Sequence, residues 1–145
     1  MATIDTCIWQ ASGVLEDDLS EQIFRAYYPE EMRTEAVPGL GHFTLTSLYK
    51  EGFIDGVVCL NYDGLLQKAG CPQEAVHEVH GSWFDPTNPA LRPGGQVRPD
   101  IWQKCLGLLD RADLCVVIGT SLSGLDTDLI AETASRGCSL GLAWL

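Results

Sequence analysis

Two side chains that can bind a ligand, Asn61 and Asp63, directly follow an apolar run in the stretch CLNYDGLLQKAG at positions 59–70. An amide both donates and accepts hydrogen bonds, so Asn61 is suited to recognise a carboxamide. The carboxylate of Asp63 can accept a bond from a ribose hydroxyl or an amide N–H. The same residue types are common in turns and at helix N-termini, where Asp63 would cap a helix beginning at Gly64. The residues alone leave both interpretations open.

His80 is a candidate general base in the segment HEVHGSWFDP at positions 77–86. The alternation of VHEVH at 76–80 predicts a strand with His80 at its end. An imidazole titrates near neutral pH, which suits proton transfer above a cleft. His77 and His80 would point to opposite faces of the strand, so we do not predict a shared metal site. A purely structural histidine is the alternative.

A third candidate site is the small-residue turn Gly119, Thr120 and Ser121 in VVIGTSLSG at positions 116–124. The glycine lets the backbone approach a ligand, and the hydroxyl and N–H groups can bind ribose or phosphate oxygens. An ordinary strand-to-helix turn is an equal alternative. A hydrolase elbow would need glycine in place of Ser123 and a histidine after the serine, but no histidine follows His80.

The elements that must position these groups alternate between strands and helices. This alternation predicts an open α/β sheet with parallel strands, whose ligands bind at the carboxyl ends of the strands. Asn61, Asp63 and the turn at Gly119 all follow such ends. The predicted helices are an amphipathic segment at 17–28, a helix at about 41–50, a short one at 64–69, one beginning at Pro99 and one N-capped by Asp126. The predicted strands are 55–60, 76–80, a clearly buried one in DLCVVIGTSLSG and another that begins in CSLGLAWL.

Composition excludes several classes of protein. The chain has 145 residues, a formal charge of −11 and a hydrophobic content of 46%, which predict one folded domain without direct nucleic-acid or membrane partners. The six cysteines include no Cys-x-x-Cys pair, so they are expected to be reduced thiols and no zinc or other metal site is predicted. With no secretory or transit signature at the N-terminus, we expect a cytoplasmic or nuclear protein.

Four segments, in order, resemble the sirtuins, the family of NAD-dependent protein deacylases. HEVHG is similar to the family's Glu-Leu-His-Gly, and VRPDIW is similar to Arg-Pro-x-Val/Ile. ADLCVVIGTSL is similar to the family's Gly-Thr-Ser-Leu strand and turn. The stretch from Pro38 onward resembles a Pro…His helix and a strand ending in Thr-Gln-Asn-Ile-Asp-x-Leu-His, matched by Asn61, Asp63, Leu65, Ala69 and Gly70. The resemblance defines a partial NAD-binding domain at 38–145 after an N-terminal helical segment at 1–37.

The resemblance implies a Rossmann-like open parallel sheet with flanking helices, incomplete at both ends, that binds NAD. Asn61 and Asp63 would line the nicotinamide carboxamide subsite, and His80 would be the catalytic general base on a ribose hydroxyl. Gly119, Thr120 and Ser121 would hold the ribose and phosphates. The implied reaction is deacylation of an acyl-lysine protein or peptide, or transfer of ADP-ribose.

The sequence also departs from the family pattern. Leu60 and Leu66 replace the glutamine and the later histidine of the Thr-Gln-Asn-Ile-Asp motif. Only the short loop 82–97 stands where the four-cysteine zinc ribbon would follow His80. The Gly-Ala-Gly-Ile-Ser loop that cradles the diphosphate has no counterpart in this sequence. We therefore expect a zinc-free domain with weak or no activity. The alternative is a non-catalytic α/β interaction module or gene fragment derived from the fold.

Overall fold

The computed structural model describes residues 34–91, 95–119 and 125–143, and every structural statement below refers to these ranges. The predicted helix at 17–28, most of the 1–37 segment, Thr120 and Ser121 lie outside them. The elements are α1 (Leu40–Lys50), β1 (Val57–Cys59), α2 (Leu65–Lys68), a 3-10 turn (Gln73–Ala75), β2 (Val76–Glu78), α3 (Pro99–Leu109), β3 (Leu114–Ile118), α4 (Leu125–Ser135) and β4 (Ser139–Ala143).

All four described strands pair in parallel, which confirms the parallel α/β prediction. β1 pairs with β2, with Cys59 opposite Glu78, and β3 pairs with β4, with Ile118 opposite Ala143. Within the described residues these are two separate two-stranded sheets, and no strand ladder joins them. A helix or turn connects the two strands of each pair, as parallel pairing requires.

The helix ends follow local sequence signals. Gly52, with φ of 75°, follows the last turn of α1 in the left-handed conformation that glycine adopts without strain. Pro99 occupies the first turn of α3, where its missing N–H leaves no bond unmade. The predicted N-cap at Asp126 is wrong, because α4 already includes Leu125 and Asp126 therefore lies inside its first turn.

β1 packs against apolar residues on both faces, as its continuous apolar run predicts, although its three residues are only half-buried. Val57 and Cys59 pack on one side against a cluster of buried residues from α2, the 3-10 turn and β2. Val58 and Leu60 pack on the other side against a second cluster, Val79, Ile101 and Cys105, which brings α3 onto the sheet. Alternate residues of a strand point to opposite faces, so one short strand connects both halves of the core.

The predictions for β2 and β3 need correction. β2 ends at Glu78, so Val79 and His80 lie in a turn beyond the strand instead of at its end. β3 is not buried on both faces: Leu114, Val116 and Ile118 are 58%, 51% and 38% exposed, although they alternate with half-buried residues. None of the described helices has the length and apolar character needed to cross a bilayer.

Candidate functional site

The chain segments that follow β1 and β2 are bonded to each other at one edge of the first sheet. The Val79 N–H donates to the carbonyl of Cys59 at 2.9 Å, which extends the parallel ladder by one residue. Further out, the Trp83 N–H donates to the carbonyl of Tyr62 at 3.0 Å, and the Ser82 hydroxyl approaches the same oxygen at 3.5 Å. Asn61, Asp63 and His80 are therefore carried on two segments that the backbone holds side by side.

Tyr62 is the buried centre of this edge, and sequence reasoning missed it. The residue is only 5% exposed. Its ring centroid lies 6.0 Å from that of His80 and 5.7 Å from that of Trp83, both in tilted geometry. An aromatic residue between two polar candidates was the available signal, since large rings in a polar turn usually pack against something. The Tyr62 ring therefore packs against both the His80 imidazole and the Trp83 ring.

Asp63 has a structural task. Its Oδ1 accepts a hydrogen bond from the Leu65 N–H at 3.0 Å, which satisfies one of the free donors at the start of α2. Gly64 takes a left-handed conformation with φ of 61° between them. The geometry therefore supports the capping interpretation of Asp63.

Asn61 is exposed at the same edge, and its carbonyl accepts a bond from the Cys59 thiol at 3.6 Å. Burial raises the pKa of the Cys59 thiol to about 12, against a smaller lowering by this bond to Asn61. The thiol is thus neutral at physiological pH and serves as part of the core. The amide of Asn61 stands at the solvent side of the site.

His80 is half-buried in a tight turn. The Gly81 N–H donates to the carbonyl of Glu78 at 3.0 Å and closes the turn, and the carbonyl of His80 accepts a bond from the Leu91 N–H at 2.8 Å. Gly81 has φ of 80°, and a Cβ built on it would lie 2.2 Å from the carbonyl oxygen of Pro89. Only glycine fits there, so the HG pair in the sequence has a steric cause.

Glu78 is a buried carboxylate that sequence reasoning did not single out. It is 2% exposed, and its Oε2 accepts a bond from the Gln73 amide at 3.2 Å. The Gln67 amide donates to Gln73 in turn, at 3.1 Å. Burial raises the pKa of Glu78, and the hydrogen bond from Gln73 opposes that rise. A charged residue in the middle of the apolar alternation VHEVH was the signal for this network.

The third candidate segment stands on the second sheet. Gly119 follows β3 with φ of 64°, and no heavy atom of the described residues lies within 4 Å of the place where a Cβ would stand. The backbone is therefore open to close approach by a ligand at this point. No strand ladder of the described residues links it to the edge that carries Asn61 and His80. Thr120 and Ser121 lie outside the described residues, so their role stays a prediction.

Leu60 and Leu66, the two departures from the sirtuin motif, are core residues. Leu66 is buried in the cluster with Cys71, Ala75 and Val76. Leu60 packs against the cluster that includes Val79 and Cys105. At both positions, an apolar side chain that packs in the core thus stands where the family motif has a hydrogen-bonding one.

Within the described ranges no group of three His, Cys, Asp or Glu side chains is arranged to hold a metal ion. The described cysteines, Cys59, Cys71, Cys105, Cys115 and Cys138, are free thiols. Backbone hydrogen bonds join residues 88–91, in the loop after His80, to the turn that carries the histidine.

The known proteins that this chain resembles are sirtuins. No protein-family model matches the chain. A curated NAD-dependent protein deacetylase of Saccharolobus solfataricus is 30% identical over 146 residues, which cover 78% of this chain and 58% of the relative. A structure solved for the structural basis of sirtuin substrate affinity superposes with a TM-score of 0.69 at 25% identity, over 85% of this chain and 63% of the other. Over most of its length the chain is therefore similar to the sirtuins.

A Sir2 structure with a p53 peptide and NAD+ gives the same relationship, with a TM-score of 0.66, 25% identity and coverage of 83% of this chain and 68% of that one. The sirtuin neighbours confirm the Rossmann-like α/β prediction. The chain spans about half the length of the curated relatives it matches, between 48% and 58% for three of them. The activity of complete sirtuins is therefore a proposal for this chain.

Proposed function

We propose that this chain is a zinc-free, sirtuin-like NAD-binding domain, 38–145, preceded by a helical segment at 1–37. In its complete form it would perform NAD-dependent deacylation of a protein lysine, or ADP-ribosyl transfer. The observation that supports this most is the bonding of the β1 and β2 loops, which brings Asn61 and His80 to one edge of a parallel sheet in a chain similar to this family. Ligands of such sheets bind at this edge.

The residues present fit a dinucleotide in two respects. The exposed amide of Asn61 offers both a donor and an acceptor to a carboxamide. The open left-handed backbone at Gly119 allows close approach by a ribose or phosphate, with the hydroxyls of Thr120 and Ser121 as additional donors. Asp63 would line the same carboxamide subsite as Asn61, while its Oδ1 also accepts the Leu65 N–H.

The imidazole of His80 would act as the general base of the reaction. Bound NAD supplies a ribose carbon that carries nicotinamide as its leaving group, and the Nε2 or Nδ1 atom of His80 would accept a proton from a ribose hydroxyl. The partner substrate would be an acyl-lysine protein or peptide, in the cytoplasm or nucleus. We expect weak or no turnover from this chain, because Leu60 and Leu66 fill core positions where the family motif has polar groups.

NAD titration of the 15N-labelled chain tests the binding site. Amide signals of residues 61–63, 80–81 and 119–121 should shift together, and Asn61→Ala should weaken the response at all three segments. Gln103→Ala, an exposed polar change on α3, should leave it unchanged. Shifts confined to other residues, or equal affinity in Asn61→Ala and the unaltered chain, would show that the site is wrong.

Nicotinamide release in the presence of NAD and an acetyl-lysine peptide tests the reaction. Any release should be slow and should be lost in His80→Ala, with Gln103→Ala as the control. Release that persists in His80→Ala would remove His80 from the role of general base. Rapid release by the unaltered chain would contradict the expected weak activity.

The alternative function is a non-catalytic binding module of the same fold. The observations that favour it are the packing of Leu60 and Leu66 in the core and the use of Asp63 as a helix cap. This alternative predicts that ligand binding depends on the Gly119–Ser121 turn and is indifferent to His80. The same NAD titration, repeated with His80→Ala, distinguishes the two functions.

A further inference from the structure

We propose that Asn88 is a positioning residue for His80, and that its side-chain amide fixes the turn that carries the imidazole. The importance of that turn for a reaction rests on the proposed function. The positioning itself stands on geometry within the described residues, and it concerns the side chain of Asn88 in the loop Asp85–Leu91.

The amide of Asn88 contacts the turn directly. Asn88 is 8% exposed, and its Nδ2 donates to the carbonyl of Glu78 at 2.9 Å. The same oxygen accepts the Gly81 N–H at 3.0 Å, the bond that closes the turn around Val79 and His80. A carbonyl oxygen has two lone pairs. One is used by the turn itself and the other by Asn88.

The backbone around Asn88 reinforces this contact from both sides. The Ser82 N–H donates to the carbonyl of Asn88 at 2.8 Å, and the Ala90 N–H donates to the carbonyl of Ser82 at 3.0 Å. The Leu91 N–H then reaches the carbonyl of His80 itself, at 2.8 Å. The histidine is thus held through two carbonyls, that of Glu78, two residues earlier in the chain, and its own.

Asn88 is in turn held by the first part of its loop. Asp85 accepts the Thr87 N–H at 2.8 Å and the Thr87 hydroxyl at 2.7 Å, and the Asn88 N–H donates to the carbonyl of Asp85 at 3.1 Å. Arg98, at the start of α3, donates to the carbonyl of Thr87. The side-chain amide therefore enters the turn from a pre-ordered loop, at little entropic cost.

Substitution of Asn88 should change the position of His80 and not only the stability of the fold. Asn88→Ala removes the donor and leaves a buried carbonyl with one partner fewer, which is costly. Asn88→Asp keeps the size of the side chain but, when ionised, places a second acceptor against the Glu78 carbonyl. In both variants the turn should loosen, and the imidazole should lose its fixed distance from the Tyr62 ring.

The histidine signals of the chain report that distance without any ligand. The sequence has three histidines, His42, His77 and His80, so each gives one assignable ring signal. The Tyr62 ring current should displace the His80 Cε1–H signal. In Asn88→Ala and Asn88→Asp that signal should lose most of its displacement from the unfolded-chain position, while the His42 signal stays in place.

Thr133→Ala is the stability-matched control, because Thr133 is a buried hydroxyl that bonds within α4, on the second sheet's side. It should lower the melting temperature without moving the His80 signal. An unchanged His80 signal in both Asn88 variants would overturn the proposal and leave Asn88 as an ordinary structural residue. If the signal moves, the positioning holds whether or not NAD binds, and a failure to bind NAD would count against the proposed function alone.

Discussion

Gly81 is the residue at which the His80 turn tolerates the least change. A Cβ added there would lie 2.2 Å from the Pro89 oxygen and 2.9 Å from the Ala90 Cα. Gly52 has a similar φ, 75° against 80°, but within the described part of the chain no heavy atom lies within 4 Å of its added Cβ. Gly52→Ala should therefore cost only the left-handed strain, about 1–2 kcal/mol.

Gly81→Ala should cost about 1–3 kcal/mol more than Gly52→Ala, because overpacking against backbone is added to the same strain. Urea unfolding of the two variants measures the difference. Equal losses of stability would mean that the loop at Pro89 does not press on the turn.

Glu78 predicts a pH dependence of stability. Its pKa is raised in the folded chain by burial, so the folded state holds the proton more tightly than the unfolded state. The contribution of this residue is then fully present below the ordinary carboxyl pKa and is lost as the pH rises through the raised value. Above the ordinary carboxyl pKa, burial of this carboxyl therefore costs the fold stability.

Glu78→Gln should therefore raise the melting temperature at neutral pH and have little effect in acid, where the carboxyl is protonated in both states. Glu74→Gln is the control, since Glu74 is exposed and lies in the adjacent 3-10 turn. Thermal melts of both variants across the acid-to-neutral range make the comparison. A Glu78→Gln variant that is less stable at neutral pH would show that the hydrogen bond from Gln73 offsets the cost of burying the carboxyl.

At the scale of elements, the sequence predicted those whose signals are local. α1, α3 and the parallel pairing were predictable because an apolar stripe, a first-turn proline and alternation of strand and helix each act within a short segment. The end of β2 was not, because the turn at His80 is set by bonds from Asn88 and Leu91, which are further along the chain. The exposed face of β3 was also missed, since an apolar run does not reveal which of its faces is covered.

The short helix α2 carries a prediction of its own, because its buried face excludes the family's histidine. Leu66 is buried among Cys71, Ala75 and Val76, whereas Leu65 is half-buried on the same helix. Leu66→His should lower the free energy of unfolding by about 2 kcal/mol or more, since an imidazole there loses apolar burial and lacks a water shell.

Leu65→His is the matched control and should cost much less, because its side chain keeps contact with solvent. Chemical denaturation of both variants decides the question. Equal stability of Leu66→His and the unaltered chain would show that the position can accept the polar group, and that the family's histidine could be restored.

At the scale of the whole molecule, the described core is concentrated in one half. Every buried residue of the described ranges lies between Thr46 and Leu109, with the exception of Thr133. The second sheet, by contrast, exposes one face of β3. An ion pair between Arg136 and Asp110 connects the second part to the end of α3.

The candidate site follows the same division, which explains how far it could be predicted. Asn61 and His80 were placed at one edge by reasoning on strand ends, because parallel strands share the direction of their carboxyl ends. The capping role of Asp63, the buried ring of Tyr62 and the amide of Asn88 depend on three-dimensional neighbours that spacing does not encode. A single ligand that contacts both this edge and the Gly119 turn must contact both sheets.

Hydrogen exchange tests directly whether one ligand contacts both sheets. Without ligand, backbone amides of β1, β2 and α3 should exchange more slowly than those of β3 and β4, since local opening is easier where few side chains are buried. If NAD bridges the edge at Asn61 to the turn at Gly119, added NAD should slow exchange in both parts, and most at 60–64, 79–83 and the end of β3.

Asn61→Ala should abolish the NAD-dependent slowing in both parts, whereas Gln103→Ala should preserve it. Mass spectrometry of proteolytic peptides resolves the two sheets, because Pro99–Leu109 separates them in the chain. Because a dinucleotide that spans the two sheets must order both, slowing confined to one of them would show that the two sets of candidate residues do not surround one ligand. Such a result would favour the non-catalytic module, whose ligand needs only the Gly119–Ser121 turn.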